Sequence, residues 1–306
     1  MINVALCTDN NYASHCAICV TSILENNKKS DCCVYIITDG LSEENTSRFK
    51  QLSNVYAKPI RVIKADISGY EKLPVTNHLG RSMYFRFLLP DIVDGDKVLY
   101  LDCDIIVRHS LEELFDVNLD DVACGVVEDQ NGDDLRLHNP IMMFSRYFNS
   151  GVLLMNLDYW RQYSVAQQLI AWIKIRKTVL MCPDQDALNV VLENRVIFLD
   201  YKYNFQQGMY NDKLVWLRAD KWPSVIRDRK DPIIVHFTAG EKPWHKDCAH
   251  PLLSDYDYYM SLYPFLAEEK TLGHKWYFYL VESVINKLKG CYHWYRRKNG
   301  MIVNEV

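Results

Sequence analysis

Two aspartates one residue apart, Asp102 and Asp104, directly follow the apolar run Val98-Leu99-Tyr100-Leu101. In an extended segment residues i and i+2 point the same way, so both carboxylates can approach one hard cation while Cys103 faces the core. An isolated Asp-x-Asp also fits a solvated turn. The segment from Val235 to His245 narrows the choice, because an apolar strand there delivers His236, a glycine-containing loop follows, and Lys242 stands just before Pro243-Trp244. An imidazole beside two carboxylates suits Mn²⁺, which accepts mixed nitrogen and oxygen ligands more readily than Mg²⁺ does. A lysine close by offers a point charge to a phosphate oxygen.

Residues so far apart in the chain need a scaffold that gathers them, and the hydrophobic pattern supplies one. Strands are expected at Asn3 to Cys7, Val34 to Thr38, Ile60 to Ile63, Val98 to Leu101, Ile105 to Val107, Ala123 to Val127, Val152 to Met155 and Ile233 to His236. Ala13, Cys16, Ala17, Val20, Ile23 and Leu24 share one face of a first helix. A capping pattern at Ser42 to Asn45 opens a second. Further helices are expected at Arg81 to Leu89, Asp158 to Lys174 and Asp184 to Leu192. Strand and helix alternate, which predicts an α/β fold with helices flanking a Rossmann-like, mostly parallel central sheet. Such sheets bind ligands beyond the carboxyl ends of their strands, where Asp102 and Asp104 fall.

The 306 residues are 49% hydrophobic and 24% charged, enough for a large core without disulfide staples. A net charge of −4 gives no general attraction to nucleic acid, so anion binding has to be local. The ten cysteines lie mostly inside apolar runs and read as buried free thiols in a reducing cytosol; Cys16-Ala17-Ile18-Cys19 has no second pair at zinc-ribbon spacing. Neither a signal peptide nor a stretch approaching about 18 apolar residues is expected. A catalytic domain over residues 1–250 is expected, followed by a helical, aromatic and basic segment over residues 251–306. Lys275 to Lys298 holds six basic residues and one acid among interleaved Trp and Tyr. That composition fits a helix packed on the catalytic domain, and equally a peripheral contact with an anionic membrane surface at the inner face of the plasma membrane.

Six ordered motifs carry a resemblance. They are Cys7-Thr8-Asp9-Asn10-Asn11-Tyr12, Tyr84-Phe85-Arg86, Leu101-Asp102-Cys103-Asp104, Phe148-Asn149-Ser150-Gly151-Val152, Asp184-Gln185-Asp186-Ala187-Leu188-Asn189, and His236 through Trp244. In order and spacing they resemble the retaining glycosyltransferases of family eight, which include bacterial lipopolysaccharide galactosyl- and glucosyltransferases and glycogenin. The resemblance implies a GT-A fold, a UDP-sugar donor and a divalent cation, usually Mn²⁺, held by Asp102, Asp104 and His236. It implies a uracil and ribose site in Cys7, Thr8, Asp9, Asn11 and Tyr12, with Arg86 facing the donor sugar and diphosphate. By the same resemblance Cys103, Ala239, Gly240 and Lys242 lie along the donor. The turn Asn149-Ser150-Gly151 and the pair Asp184-Gln185 line the sugar, with Asp129 in a comparable place. One departure is Ala239, which stands where the galactosyltransferases carry glycine, with Gly240 one residue later.

The activity so implied is retaining transfer of a hexose from UDP-glucose or UDP-galactose to a saccharide or glycolipid. Gln185 would lie beneath the anomeric carbon, and an amide is a weak nucleophile. Same-face attack is therefore expected, with Asn149, Asp129, Asp184 and Gln185 positioning the sugar. Two other functions use the same residues: a metal-dependent UDP-sugar hydrolase and a noncatalytic UDP-sugar-binding protein.

Overall fold

The computed structural model describes residues 1–71, 73–75, 80–132, 146–175, 182–210, 219–238 and 240–262. The basic, aromatic segment from Lys275 to Lys298 and residue Ala239 lie outside them.

The first strands are β1 (Ile2–Cys7), β2 (Cys32–Thr38), β3 (Ile60–Lys64) and β4 (Lys97–Leu101); then come β5 (Ile105–Val107), β6 (Cys124–Glu128), β7 (Phe148–Asn156) and β8 (Val196–Phe198). The main sheet runs β3-β2-β1-β4-β7-β6-β8. Only β7 is antiparallel to its neighbours. The carboxyl ends of β1, β4 and β6 and the amino end of β7 therefore share one edge. Alternate side chains of the central strands enter opposite cores: Val4, Leu6, Val34 and Ile36 on one face, Ala5, Cys7, Tyr35 and Ile37 on the other. Burial on both faces explains the near-continuous apolar runs.

A second, three-stranded sheet joins β5 to β9 (Phe205–Gln206) through β10 (Ile234–His236). Strands β5 and β10 fall on expected ones, but the sequence did not announce the sheet that joins them, because β9 is two residues long and shows no period. Its antiparallel β5/β10 register sets His236 opposite Ile105, one residue past Asp104.

Helix α1 (Ala13–Asn26) is buried nearly all round rather than on the one face the spacing predicts. It packs against β5 and the helix α9 (Leu253–Leu262), and its apolar residues share one core with Val4, Leu6, Val34 and Ile36 of the main sheet. Its polar residues are satisfied locally: the Thr21 hydroxyl donates to Ala17 O and that of Ser22 to Cys19 O. The expected cap of α2 (Glu43–Tyr56) is present, with Ser42 Oγ accepting from Asn45 N at 3.2 Å. The reciprocal half comes instead from Asn10 Oδ1, which accepts from Ser42 N at 2.7 Å.

Other expectations need correction. The segment from Arg81 is a 3-10 helix to Leu88, continued by the short α3 (Leu89–Ile92). After α4 (Glu112–Phe115), the single helix expected from Asp158 is two, α5 (Leu157–Gln162) and α6 (Val165–Lys174), broken at Ser164 by a φ of 49°. Helix α7 (Pro183–Val191) begins with proline in its first turn, where the missing N–H costs nothing. Helix α8 (Trp222–Arg229) precedes β10. Asn149-Ser150-Gly151 is not a turn but the start of β7. Between Val126 and Val127 the partner strand advances one residue while β7 passes from Leu153 to Asn149, so the three residues between bulge from the ladder.

The nine described cysteines are free, and all but the half-buried Cys182 are buried, as expected. Burial pushes the Cys16 and Cys19 thiols well above their ordinary range, which leaves that pair as packing groups. Among the described residues no helix is long and apolar enough to cross a membrane.

Candidate active site

The ligand atoms of Asp102, Asp104 and His236 lie within 4.8 Å of one another. Strand β4 ends at Leu101, and its ladder with β7 continues one step as Asp102 N donates to Gly151 O at 2.9 Å. Phe237 N donates to Asp104 O at 3.0 Å, extending the β5/β10 ladder to the same point. Two sheets thus meet on one Asp-x-Asp. Cys103 between them turns inward and its thiol donates to Cys7 O at 3.2 Å, as the i, i+2 geometry requires.

His236 Nε2 is 3.1 Å from Asp104 Oδ1 and 3.8 Å from Asp102 Oδ2. Lys242 Nζ bonds Asp104 Oδ2 at 2.6 Å and also donates to Phe237 O at 2.6 Å. Burial opposes ionisation of Asp104, but Lys242 and His236 outweigh it and hold the carboxyl well below its usual range. A Cβ on Gly151 would fall 2.2 Å from His236 Cε1 and 2.8 Å from Asp102 Oδ2, so only glycine lets β7 pass beneath the cluster. Two carboxylates and one imidazole on a cramped, partly open rim form a donor set that fits a hard or borderline divalent cation.

Arg86 is buried directly behind Asp102. Its Nη2 lies 3.0 Å from Asp102 Oδ1 and its Nη1 3.4 Å from Asp184 Oδ2, while Nη1 also donates to Ser150 O at 2.6 Å and Nε to Met83 O at 2.9 Å. The guanidinium lies over the Tyr100 ring, 4.3 Å from its centroid, and the Tyr100 hydroxyl donates to Asp102 Oδ1 at 2.6 Å. Burial raises the Asp184 carboxyl, and Arg86 partly offsets that.

The first turn of α7 faces the start of β7 and is zipped to it. Gln185 Oε1 accepts from Ser150 N at 2.9 Å; Asn189 Oδ1 accepts from Phe148 N at 2.8 Å; Asp186 Oδ1 accepts from the Tyr147 hydroxyl at 2.7 Å. Gln185 Nε2 donates to Asp129 Oδ2 at 3.3 Å, and Asn149 Nδ2 donates to the same oxygen at 3.0 Å. Burial pushes the Asp129 carboxyl up, against these hydrogen bonds. Asp129, Asn149, Ser150, Asp184 and Gln185 therefore form one connected wall beside the acidic pair.

The loop after β1 closes the other side. Asp9 Oδ1 accepts from Asn11 N at 2.8 Å and Tyr12 N at 2.9 Å, which shapes the entry to α1 without a side-chain cap from Tyr12. Thr8 is buried, and its N–H donates to Ile37 O. The exposed Tyr12 ring meets Trp244 edge-on at 5.8 Å, and Trp244 stacks on His15 at 3.6 Å. Gly240 has open space around its Cβ position. The first and last motifs thus adjoin across α1.

Several site residues carried no sequence signal. Tyr100 reads as an ordinary strand residue, and Asn204 follows a short 3-10 turn, Tyr201–Tyr203, with no motif around it. Glu128 sits fully buried before Asp129, taking Lys221, Arg146 at 3.0 Å and the Tyr201 hydroxyl at 3.0 Å. A charged residue at the end of an apolar strand was the available hint for it.

A mostly parallel sheet whose strand ends present an Asp-x-Asp, a histidine from a second small sheet and a flanking lysine is the arrangement that the resemblance to a glycosyltransferase of the GT-A fold implies. Residues 3–248 match the family model described as glycosyl transferase family 8. The chain belongs to that family. Among curated relatives it is 28% identical over 274 residues to general stress protein A of Bacillus subtilis, covering 85% of this chain and 93% of the relative. It is 31% identical to the lipopolysaccharide 1,3-galactosyltransferase of Salmonella typhimurium, over 82% of this chain and 75% of that one. It is 32% identical to the lipopolysaccharide glucosyltransferase WaaO of Escherichia coli, over 80% and 73%. Among solved structures, an active-site mutant of LgtC superposes with a TM-score of 0.76 at 26% identity, over 90% of this chain and 99% of the other. The galactosyltransferase LgtC in complex with donor and acceptor sugar analogues gives 0.73 at 26%, with the same coverage.

Proposed function

We propose that this protein transfers a hexose, glucose or galactose, from a UDP-sugar to a saccharide or glycolipid acceptor with retention of configuration, in the synthesis of a cell-surface glycan such as lipopolysaccharide. The observation that carries the proposal is the convergence of Asp102, Asp104 and His236 on one point, beside the Cys7 to Tyr12 loop and Lys242. The relatives named for lipopolysaccharide galactosyl and glucosyl transfer support the acceptor class.

Asp102, Asp104 and His236 would hold Mn²⁺, or Mg²⁺ in its place, and the ion would supply positive charge to the departing diphosphate. Lys242 is held by Asp104 and is placed to share that work, swinging from its carboxylate partner to a phosphate oxygen. The Cys7 to Tyr12 loop takes the uracil and ribose, with Asp9, Asn11 and Tyr12 at its surface. Arg86 keeps Asp102 and Asp184 in place and lends its charge to the same pocket.

The sugar then lies against Asn149, Ser150, Gly151, Asp184 and Gln185, with Asp129 behind them. Both ends of the Gln185 amide are engaged, its oxygen by Ser150 N and its nitrogen by Asp129 and the Tyr147 hydroxyl. A tethered amide is a poor nucleophile and a good positioning group. Attack by the acceptor hydroxyl on the face UDP leaves, with its proton passing to the departing phosphate, gives retention without a covalent intermediate. UDP-sugars are made in the cytoplasm, so we place the reaction there, with Lys275 to Lys298 as a candidate contact with the inner membrane surface.

UDP release from a panel of UDP-sugars tests this, with and without Mn²⁺, for the unmodified protein and Asp104→Asn, with donor binding followed in parallel. Cation-dependent release accelerated by a saccharide acceptor, and lost in the variant, is expected. Equal release to water would identify a hydrolase, binding without release under any acceptor a binding protein, and neither binding nor release would overturn the proposal.

A further inference from the structure

We infer that Asn204, through a one-way chain of amide hydrogen bonds, fixes the proton of His236 on Nδ1 and so keeps Nε2 as the nitrogen that faces the cation position. The inference rests on the reading of Asp102, Asp104 and His236 as a cation site, and makes Asn204 a positioning residue for it.

Asn204 is wholly buried between two partners. Its Oδ1 is 3.0 Å from His236 Nδ1, and its Nδ2 donates to Asn149 Oδ1 at 2.9 Å. An amide can be turned over in place, so direction has to come from a group that cannot turn. Gly151 supplies it: its backbone N–H donates to the same Asn149 Oδ1 at 3.0 Å. A backbone N–H within a strand has one orientation, so an acceptor must face it. Asn149 then points its Nδ2 at Asp129 Oδ2, 3.0 Å away.

The rest follows by exclusion. With Asn149 Oδ1 fixed, a reversed Asn204 would set oxygen against oxygen there, and its Nδ2 would face the imidazole. In the orientation that satisfies both partners, Asn204 Oδ1 faces His236 Nδ1, which must carry hydrogen. That is the less populated tautomer of free histidine, so the surroundings have to select it. Nε2, 3.1 Å from Asp104 Oδ1, is left as the ligand nitrogen. A partner on the far nitrogen of a metal-binding imidazole sets ring orientation and tautomer, and its loss typically lowers affinity about 10- to 100-fold. The chain also ties the two halves of the site together, since Asn149 ends on the same Asp129 oxygen that receives Gln185 Nε2.

The test is nitrogen-detected NMR of the protein with ¹⁵N-histidine, free and with Mg²⁺ as a diamagnetic cation, the His236→Gln spectrum assigning the signal among the nine histidines. His236 Nδ1 is expected in the protonated range in both states. A bare Nδ1 in the unmodified protein overturns the inference, whatever the variants do. Asn204→Leu is expected to lose the protonated Nδ1 signature and to bind Mn²⁺, counted by electron paramagnetic resonance without donor, about 10- to 100-fold more weakly. Asn204→Asp separates this role from packing. One oxygen of the new carboxylate still accepts from Nδ1, so Mn²⁺ affinity is expected within a few-fold of the unmodified protein, while the other opposes Asn149 Oδ1 and kcat falls. A folded Asn204→Leu protein with unchanged Nδ1 signal and unchanged Mn²⁺ affinity overturns the inference. If Asn204→Leu does not fold, the unmodified spectrum and Asn204→Asp decide. Neither readout needs turnover: a protonated Nδ1 with no activity toward any donor would sink the transferase reading alone, and a bare Nδ1 with full activity would sink this one alone.

Discussion

The two ends of the site solve opposite electrostatic problems with different side chains. At one end Asp102, Asp104, His236 and Lys242 face each other as charged or chargeable groups, and the two carboxylates remain 27% and 17% exposed. At the other end Asn149, Gln185 and Asn204 are neutral amides, buried and engaged at both oxygen and nitrogen. On the proposed function the charged end can exchange its partners for those of a diphosphate, since Lys242 and the acidic pair are held by ion pairs near the surface. The amide end has no such freedom. A diphosphate needs countercharge, whereas a sugar passing through a cationic transition state needs a wall of fixed dipoles that does not react with it. Arg86 touches both ends through Asp102 and Asp184.

The largest expected break is at the charged end. Asp104→Asn removes the carboxylate that joins His236 to Lys242, and kcat/KM is expected to fall about a thousandfold, with Mn²⁺ binding lost in calorimetry. Gly151→Ala attacks the same cluster from below. Its methyl would stand 2.2 Å from His236 Cε1, so either the ring or β7 must shift. Overpacking of that kind costs about 1 to 3 kcal/mol, readable as a lower denaturation midpoint, together with weakened cation binding. A Gly151→Ala protein with unchanged stability and cation affinity would show that the close approach is unimportant.

Asp129→Asn sharpens the comparison from the other end. Asp129 Oδ2 accepts from Asn149 and Gln185, and Oδ1 accepts from Asn131 N at 2.8 Å. Whichever way the new amide turns, its NH₂ opposes a donor. A fall in kcat of about a hundredfold is expected, with Mn²⁺ affinity within a few-fold of the unmodified protein. Equal losses of cation binding in Asp129→Asn and Asp104→Asn would erase the division between the ends.

The division also explains what the sequence disclosed. Asp102, Asp104 and His236 were legible because two carboxylates and an imidazole at strand ends are the residue types a cation site would require, and the strands before them were legible because they are buried. Asn149, Asp184 and Gln185 were reached through resemblance, with the wrong backbone for one stretch. Asn149-Ser150-Gly151 reads as a turn by composition, yet β4 on one side and α7 on the other hold it extended. Asn204 and Tyr100 stayed hidden, since a single amide or phenol becomes functional only through a neighbour distant in the chain. The second sheet stayed hidden for a similar reason: β5 and β10 were expected as strands, but their pairing with each other and with the two-residue β9 joins segments distant in the chain. Residue 102 needed a strand to be recognised; residue 204 needed the fold.

The smallest expected effect lies at the rim, where the charged end carries a group kept neutral. His15 stacks on Trp244, and burial lowers its pKa to about 4, with Asp104 pulling the other way and His245 and Lys242 reinforcing the fall. A histidine whose pKa drops on folding stabilises the fold fully above its unfolded value of about 6.5, and that contribution is lost as the pH falls toward about 4. The loss amounts to about 2 kcal/mol after allowance for partial exposure. His15→Phe keeps a ring against Trp244 and cannot protonate. Denaturant midpoints measured from pH 7 down to 4 are expected to fall less steeply in the variant, while turnover at pH 8 stays within about threefold. Parallel acid limbs in the two proteins would mean that His15 is already free to take up its proton, and that the Trp244 stack opens at little cost before the donor arrives.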